Sequence, residues 1–225
     1  MVSINKSIYS LVLSDEVVDA VDALARTAGM SRSAMINRIL AEQVAFVTPE
    51  MRLREILESL ARSMTDAFMI AEKPTGSTLS ARTSLKYRYK PTVRYSVEIF
   101  SDSRSTKEGA RSGELRVSFR SQNAQLIDDL TEFFKCWAAL EEKYIADRIS
   151  GDILYTIQDG RFTRTLNMPR ENISENELGT AVADYMAMLD GAMKAYFLKL
   201  PDVHEAVLSA EELYKKCIAA QRVII

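Results

Sequence analysis

The chain has 225 residues, 47% hydrophobic and 27% charged, with a formal net charge of −2. That balance supplies enough apolar material for a packed core, and no apolar run approaches the ~18 residues of a membrane span. One histidine, His204, and two cysteines far apart in sequence, Cys136 and Cys217, make a zinc centre or a Cys–His nucleophile an unpromising expectation.

Charge is distributed unevenly. Between Leu85 and Arg120, nine cations face four acids, a surplus of +5, so the rest of the chain carries −7. The beginning of the chain has no apolar signal segment, which sets the expectation of a cytoplasmic protein with reduced thiols.

Residues 7–13 alternate, with Tyr9, Leu11 and Leu13 on one side and Ile8, Ser10 and Val12 on the other, which is strand periodicity. Ser14 then offers a helix cap, and Asp15 and Glu16 place negative charge in the first turn. Val17, Val21, Leu24 and Ala28 follow at helical spacing, and Gly29 suits a left-handed stop. Ser31 caps a second helix whose inner face is expected to carry Ile36, Leu40, Val44 and Val47.

Thr48-Pro49-Glu50 is a third helix start. Leu53, Leu57, Leu60, Met64, Ala67 and Ala71 then follow an a/d pattern for under three heptads. This stripe suits either packing onto the helix's own domain or a short coiled coil in a dimer. Residues 73–84, KPTGSTLSARTS, read as a linker. The expected organisation is therefore 1–47, a connecting helix at 48–72, the linker at 73–84, and a second domain at 85–225.

In that second domain Tyr87, Tyr89, Val93, Tyr95, Val97 and Ile99 alternate as a strand from Leu85, interrupted at Pro91. Residues 101–113 read as a polar loop, and Leu115, Val117 and Phe119 as the return strand. A long amphipathic helix is expected over 124–149, a hairpin around Asp159-Gly160, and two helices near 175–200 and 209–222. The order ββαββαα implies an α+β domain, with an antiparallel sheet and helices packed on one side. The acid pairs Asp128-Asp129 and Glu141-Glu142 are expected to be solvating. No phosphate-cradling glycine loop, nucleophile elbow or metal-ligand helix is present, so neither enzymatic activity nor a cofactor is expected.

A lone short strand must find hydrogen-bond partners somewhere. The economical solution is the same strand of a second copy across a two-fold axis. A homodimer, with room for a higher oligomer, is therefore expected.

The order strand, Leu13-Ser14-Asp15-Glu16, helix, Ala28-Gly29-Met30-Ser31-Arg32-Ser33-Ala34-Met35-Ile36, helix resembles the ribbon-helix-helix DNA-binding proteins of the CopG/Arc/MetJ type. The resemblance covers about residues 5–47 and implies an intertwined dimer whose ribbon enters the major groove of double-stranded DNA. It implies base-facing positions at Ile8, Ser10 and Val12, with Lys6 at the ribbon's end. It also implies phosphate contacts at Ser31, Arg32 and Ser33, where the second helix begins. A departure from the family pattern is that Ile8 and Val12 are apolar, and residues 1–47 carry a net −1.

The resemblance thus points to a repressor-like transcription regulator in the nucleoid. Two other readings stand beside it. One is a DNA-binding accessory component of a plasmid partition or relaxase complex. The other is an interaction module with a DNA-inactive ribbon. In the second domain, Lys86, Arg88, Lys90, Arg94, Arg116 and Arg120 are expected on one sheet face. That face suits a solvated surface, a second polyanion-binding surface, or a site for an anionic effector or acidic partner.

Overall fold

A computed structural model describes residues 8–44, 48–70, 76–87, 90–106, 109–158, 160–169, 171–221 and 223–225, with side chains at 102–106 and 109–110 outside that description. The chain forms two compact units, residues 1–52 and 53–225.

The first unit holds two helices, α1 (Asp15–Ala28) and α2 (Arg32–Gln43). Ser14 takes the cap position of α1 in extended geometry, but its hydroxyl does not bond a helix amide. Gly29 ends α1 at φ 65°, and the Gly29 and Met30 amides close back on Arg26 and Ala25. Ser31 caps α2, its hydroxyl accepting from the Ala34 amide at 3.3 Å.

The core of this unit is small. Val21, Ala25 and Met35 are buried together, with Met30, Ile36 and Ile39 packed around them. The stripes expected from helical spacing are realised only in small part. Val21 and Ile36 turn inward, whereas Val17, Leu24, Leu40 and Val44 stay exposed; Val47 lies outside the described residues. A single copy has too few side chains to cover them.

In the second unit, the stripe of α3 (Pro49–Ser63) is satisfied by its own unit. Leu57 and Leu60 lie at 1% and 0% exposure within the main core, so the stripe needs no coiled-coil partner. The helix stops at Ser63, before Ala67, which lies in a turn. At its start the Thr48 hydroxyl accepts from the Met51 amide, as the Thr-Pro-Glu signal implies.

Six strands form one antiparallel sheet in the order β1-β2-β3-β4-β6-β5. They are β1 (Met69–Ile70), β2 (Thr78–Ser84), β3 (Thr92–Thr106), β4 (Gly109–Phe119), β5 (Tyr155–Gln158) and β6 (Arg161–Asn167). Two segments with the composition of connections are strands. Thr78–Ser84, within the expected linker, pairs with β3 along its whole length. Its Ser/Thr content suggests a loop, yet Leu79, Ala81 and Thr83 alternate inward. Much of the expected 101–113 loop is the far end of the β3–β4 hairpin, which pairs Arg104 with Arg111 beyond an irregularity after Ile99. In the other direction, the strand expected from Leu85 starts only at Thr92. Leu85 to Pro91 form the β2–β3 connection, closed by the Leu85 amide on the Pro91 carbonyl.

Helices α4 (Ala124–Ile145), α5 (Glu175–Lys199) and α6 (Val203–Ala220) complete the unit. The α6 helix begins earlier than its apolar pattern suggests, because the Asp202 carboxylate caps it at the Glu205 amide. One sheet face is covered: Phe134 of α4 stacks on Phe162 of β6 at 4.6 Å, and Asp190 of α5 accepts from Tyr95 of β3. The α5 helix is buried round most of its circumference, as a helix inside a core must be. It approaches α3 so closely that a Cβ on Gly179 would lie 2.5 Å from the Ile56 carbonyl oxygen.

Glu141 corrects its expected solvating role. It is fully buried and ion-paired with the equally buried Arg164 at 2.9 Å. Tyr185 donates to Glu141, and Arg164 also donates to the Ile225 carbonyl. Burial pushes the Glu141 carboxyl up, against the pull of Arg164. Cys136 and Cys217 are half-buried free thiols, both raised by burial.

Candidate nucleic-acid interface

The segment ahead of α1 is exposed, and residues 8–14 are not in a strand within the single chain. The expected strand therefore has no ladder in one copy. Its two faces still differ. Ile8 and Val12 are fully exposed at 101% and 102%, whereas Tyr9, Leu11 and Leu13 fall from 82% to 59% to 41% towards the helix. The second set is continuous in kind with Val17, Leu24, Leu40 and Val44, the apolar side chains the two helices leave uncovered. Ser10 is exposed between Ile8 and Val12. Lys6 lies outside the described residues.

At the start of α2, Ser31, Arg32 and Ser33 are all exposed. The Ser31 hydroxyl already serves the Ala34 amide. The Arg32 and Ser33 amides, by contrast, precede the first backbone bond of the helix, which runs from Met35 to Ser31. They therefore point out of the positive end of α2, where anions bind favourably.

Arg32 is engaged. Its guanidinium forks onto the Asp22 carboxylate, with Nε donating at 2.6 Å and a second amino group donating to the other oxygen. This bond holds the Asp22 carboxyl below its usual range and lifts Arg32. Spacing along the sequence hid this pairing, because the two residues lie ten apart on different helices.

Residues 10–45 match the family model described as "Ribbon-helix-helix protein, copG family". This segment is similar to the CopG-type ribbon-helix-helix proteins. Proteins of that family are typically DNA-binding transcription regulators, generally non-enzymatic, that bind DNA as dimers. No curated protein and no solved structure gives a match to the chain. Among the described residues no helix is long and apolar enough to cross a membrane, and no cluster of metal-ligating side chains occurs.

The ribbon-helix-helix segment leaves the sheet unit unaccounted for, and the sheet's uncovered face carries the basic side chains. Arg94, Arg116 and Arg120 lie along an open groove of about 760 Å³ on that face. Lys86 and Lys90 do not; they sit in the β2–β3 connection, Lys90 at φ 44°. Arg88 lies outside the described residues. Two further arginines complete the groove, Arg82 from β2 and Arg161 from β6. Arg82 was hidden inside the apparent linker, although its alternation with Leu79, Ala81 and Thr83 is strand-like. Arg161 follows the Gly160 turn, where only hairpin pairing reveals its neighbours.

Proposed function

We propose that this protein is a dimeric, sequence-specific regulator of transcription that binds double-stranded DNA and acts in a repressor-like manner. Two copies of residues 8–13 pair as an antiparallel ribbon, and the ribbon enters the major groove. The α2 amino termini clasp the flanking phosphates.

The observation that carries this reading is the apolar side left open by one copy: Tyr9, Leu11, Leu13, Val17, Leu24, Leu40 and Val44. A unit whose own core is three buried side chains with three partners draws its missing core from a second copy. The outward side chains then are Ile8, Ser10 and Val12, with Lys6 at the end. Isoleucine and valine contact thymine methyl groups rather than hydrogen-bonding base edges, so base discrimination rests on shape and on A·T steps more than on bidentate pairs.

The experiment is a gel-shift titration of full-length protein on DNA upstream of its own gene. Wild type shifts the fragment, and Arg32→Ala with Ser33→Ala abolishes the shift. Retained affinity in that double variant removes α2 from the mechanism.

A second reading makes the protein an accessory component of a plasmid partition or relaxase complex, with the sheet unit docking another macromolecule. The basic groove favours it. Co-purification of a relaxase or a partition ATPase separates it from a plain regulator.

A further inference from the structure

We infer that the open face of the six-stranded sheet is a second DNA-binding surface, one that grips duplex phosphates without reading sequence. It is carried by residues of the second unit alone and does not rest on the ribbon.

The strand registers place its side chains in a line. Arg82 lies opposite Arg94, Arg94 opposite Ser118, Ser118 opposite Arg161, and Arg161 opposite Gln158. With neighbouring strands ~4.8 Å apart, the three arginines span roughly 14 Å across the sheet. Arg120 adds a fourth cation at the end of β4. Among the described residues, Arg82, Arg94, Arg120 and Arg161 have no carboxylate within ion-pairing distance. Among the described residues, the neighbouring acids Glu98 and Glu114 are both taken by Arg116.

A directly opposed like-charge pair such as Arg82 and Arg94 is unfavourable in a sheet. An anion lying between them removes that repulsion. The same arrangement discriminates among anionic partners. A protein partner needs an apolar centre to its interface, and here the apolar floor is covered: Val117 and Phe162 are buried, and the Phe119 ring packs on Phe134. A single-stranded nucleic acid is held largely by bases stacking on exposed rings. Tyr95 points inward to Asp190, and the two aromatics at the groove, Phe119 and Phe162, both pack on Phe134. What remains is a wide row of cations among hydroxyl and amide side chains (Ser96, Ser118, Thr156, Gln158, Thr163), the chemistry that contacts a duplex backbone.

The test uses full-length protein and a random-sequence DNA duplex, titrated between 50 and 200 mM salt. The variants are R82S/R94S/R161S on the sheet, its lysine counterpart R82K/R94K/R161K, and R32A/S33A on the ribbon side. The serine variant should bind at least ten-fold more weakly at low salt. Its slope of log affinity against log salt should fall by roughly 0.9 for each phosphate it no longer neutralises. The lysine variant should restore both, because a point charge suffices for phosphate. The ribbon-side variant should keep the sheet-dependent component, so loss of operator binding and loss of this surface are read separately. All three arginines are exposed, and an unchanged melting temperature confirms the fold. An unchanged affinity and slope in the serine variant would overturn the inference. So would losses confined to single-stranded RNA or to inorganic polyphosphate.

Discussion

Leu11→Ala tests the proposed dimer through one side chain of the ribbon's inner face. Leu11 remains 59% exposed in the single copy, so that share of its surface is open to burial by a partner. Fully burying a leucine contributes about 1.5–3 kcal/mol, and the open share therefore contributes roughly 1–2 kcal/mol per copy. A two-fold dimer loses the term twice, about 2–4 kcal/mol, which converts to a dimerisation constant roughly 30- to 700-fold weaker. Sedimentation equilibrium over a dilution series measures it directly. Ile8→Ala and Val12→Ala are the internal control. These side chains are fully exposed on the opposite face, so their loss should leave the dimer constant alone and alter DNA affinity instead. An unchanged constant for Leu11→Ala, or equal weakening by all three variants, would refute the assignment of the two faces.

Further outcomes follow from particular side-chain pairings. Asp22→Asn releases Arg32 from its fork. If Arg32 serves phosphate, DNA binding tightens several-fold and the salt slope steepens by about 0.9 for every additional phosphate neutralised; weaker DNA binding would instead make the fork a tie between α1 and α2. Arg164→Met leaves Glu141 buried without its partner and should lower stability by about 3–5 kcal/mol in urea titrations. The loss should depend on pH. Burial already raises the folded-state pKa of Glu141, and removing the cation raises it further, so the native state holds the proton more tightly than the unfolded chain does. Stability then falls as pH climbs from the unfolded value near 4.5 through the raised folded one. A deficit that is the same at pH 4.5 and pH 7 would show that Glu141 does not carry it.

Legibility followed the range of the forces involved. Local signals were readable: Ser31 as a cap, Gly29 as a left-handed stop, and Thr48-Pro49-Glu50 as a start each act within a few residues and each stands where composition placed it. The α+β class and the antiparallel sheet were also legible, because alternation and helical spacing are repeated over long segments. Features created by distant partners were not. Glu141 sits beside Glu142 in sequence and looks solvated there, but Arg164, twenty-three residues away, neutralises it inside the core. Thr78–Ser84 has loop composition, yet β3 supplies a complete ladder for it. The groove was half visible for the same reason. Arg94, Arg116 and Arg120 follow from the phase of two strands, but Arg82 and Arg161 join them only once four strands are in register. Arg32 was recognisable as a cation at a helix start, while its bond to Asp22 depends on how α1 and α2 pack.

Hydrogen exchange of the backbone amides at residues 8–14 in the intact protein tests the paired ribbon most directly. A ribbon shared by two copies protects alternate amides of this segment strongly at concentrations where the dimer forms, and that protection disappears on dilution and in Leu11→Ala. Free exchange of every amide from 8 to 14 in protein that still binds DNA would contradict it.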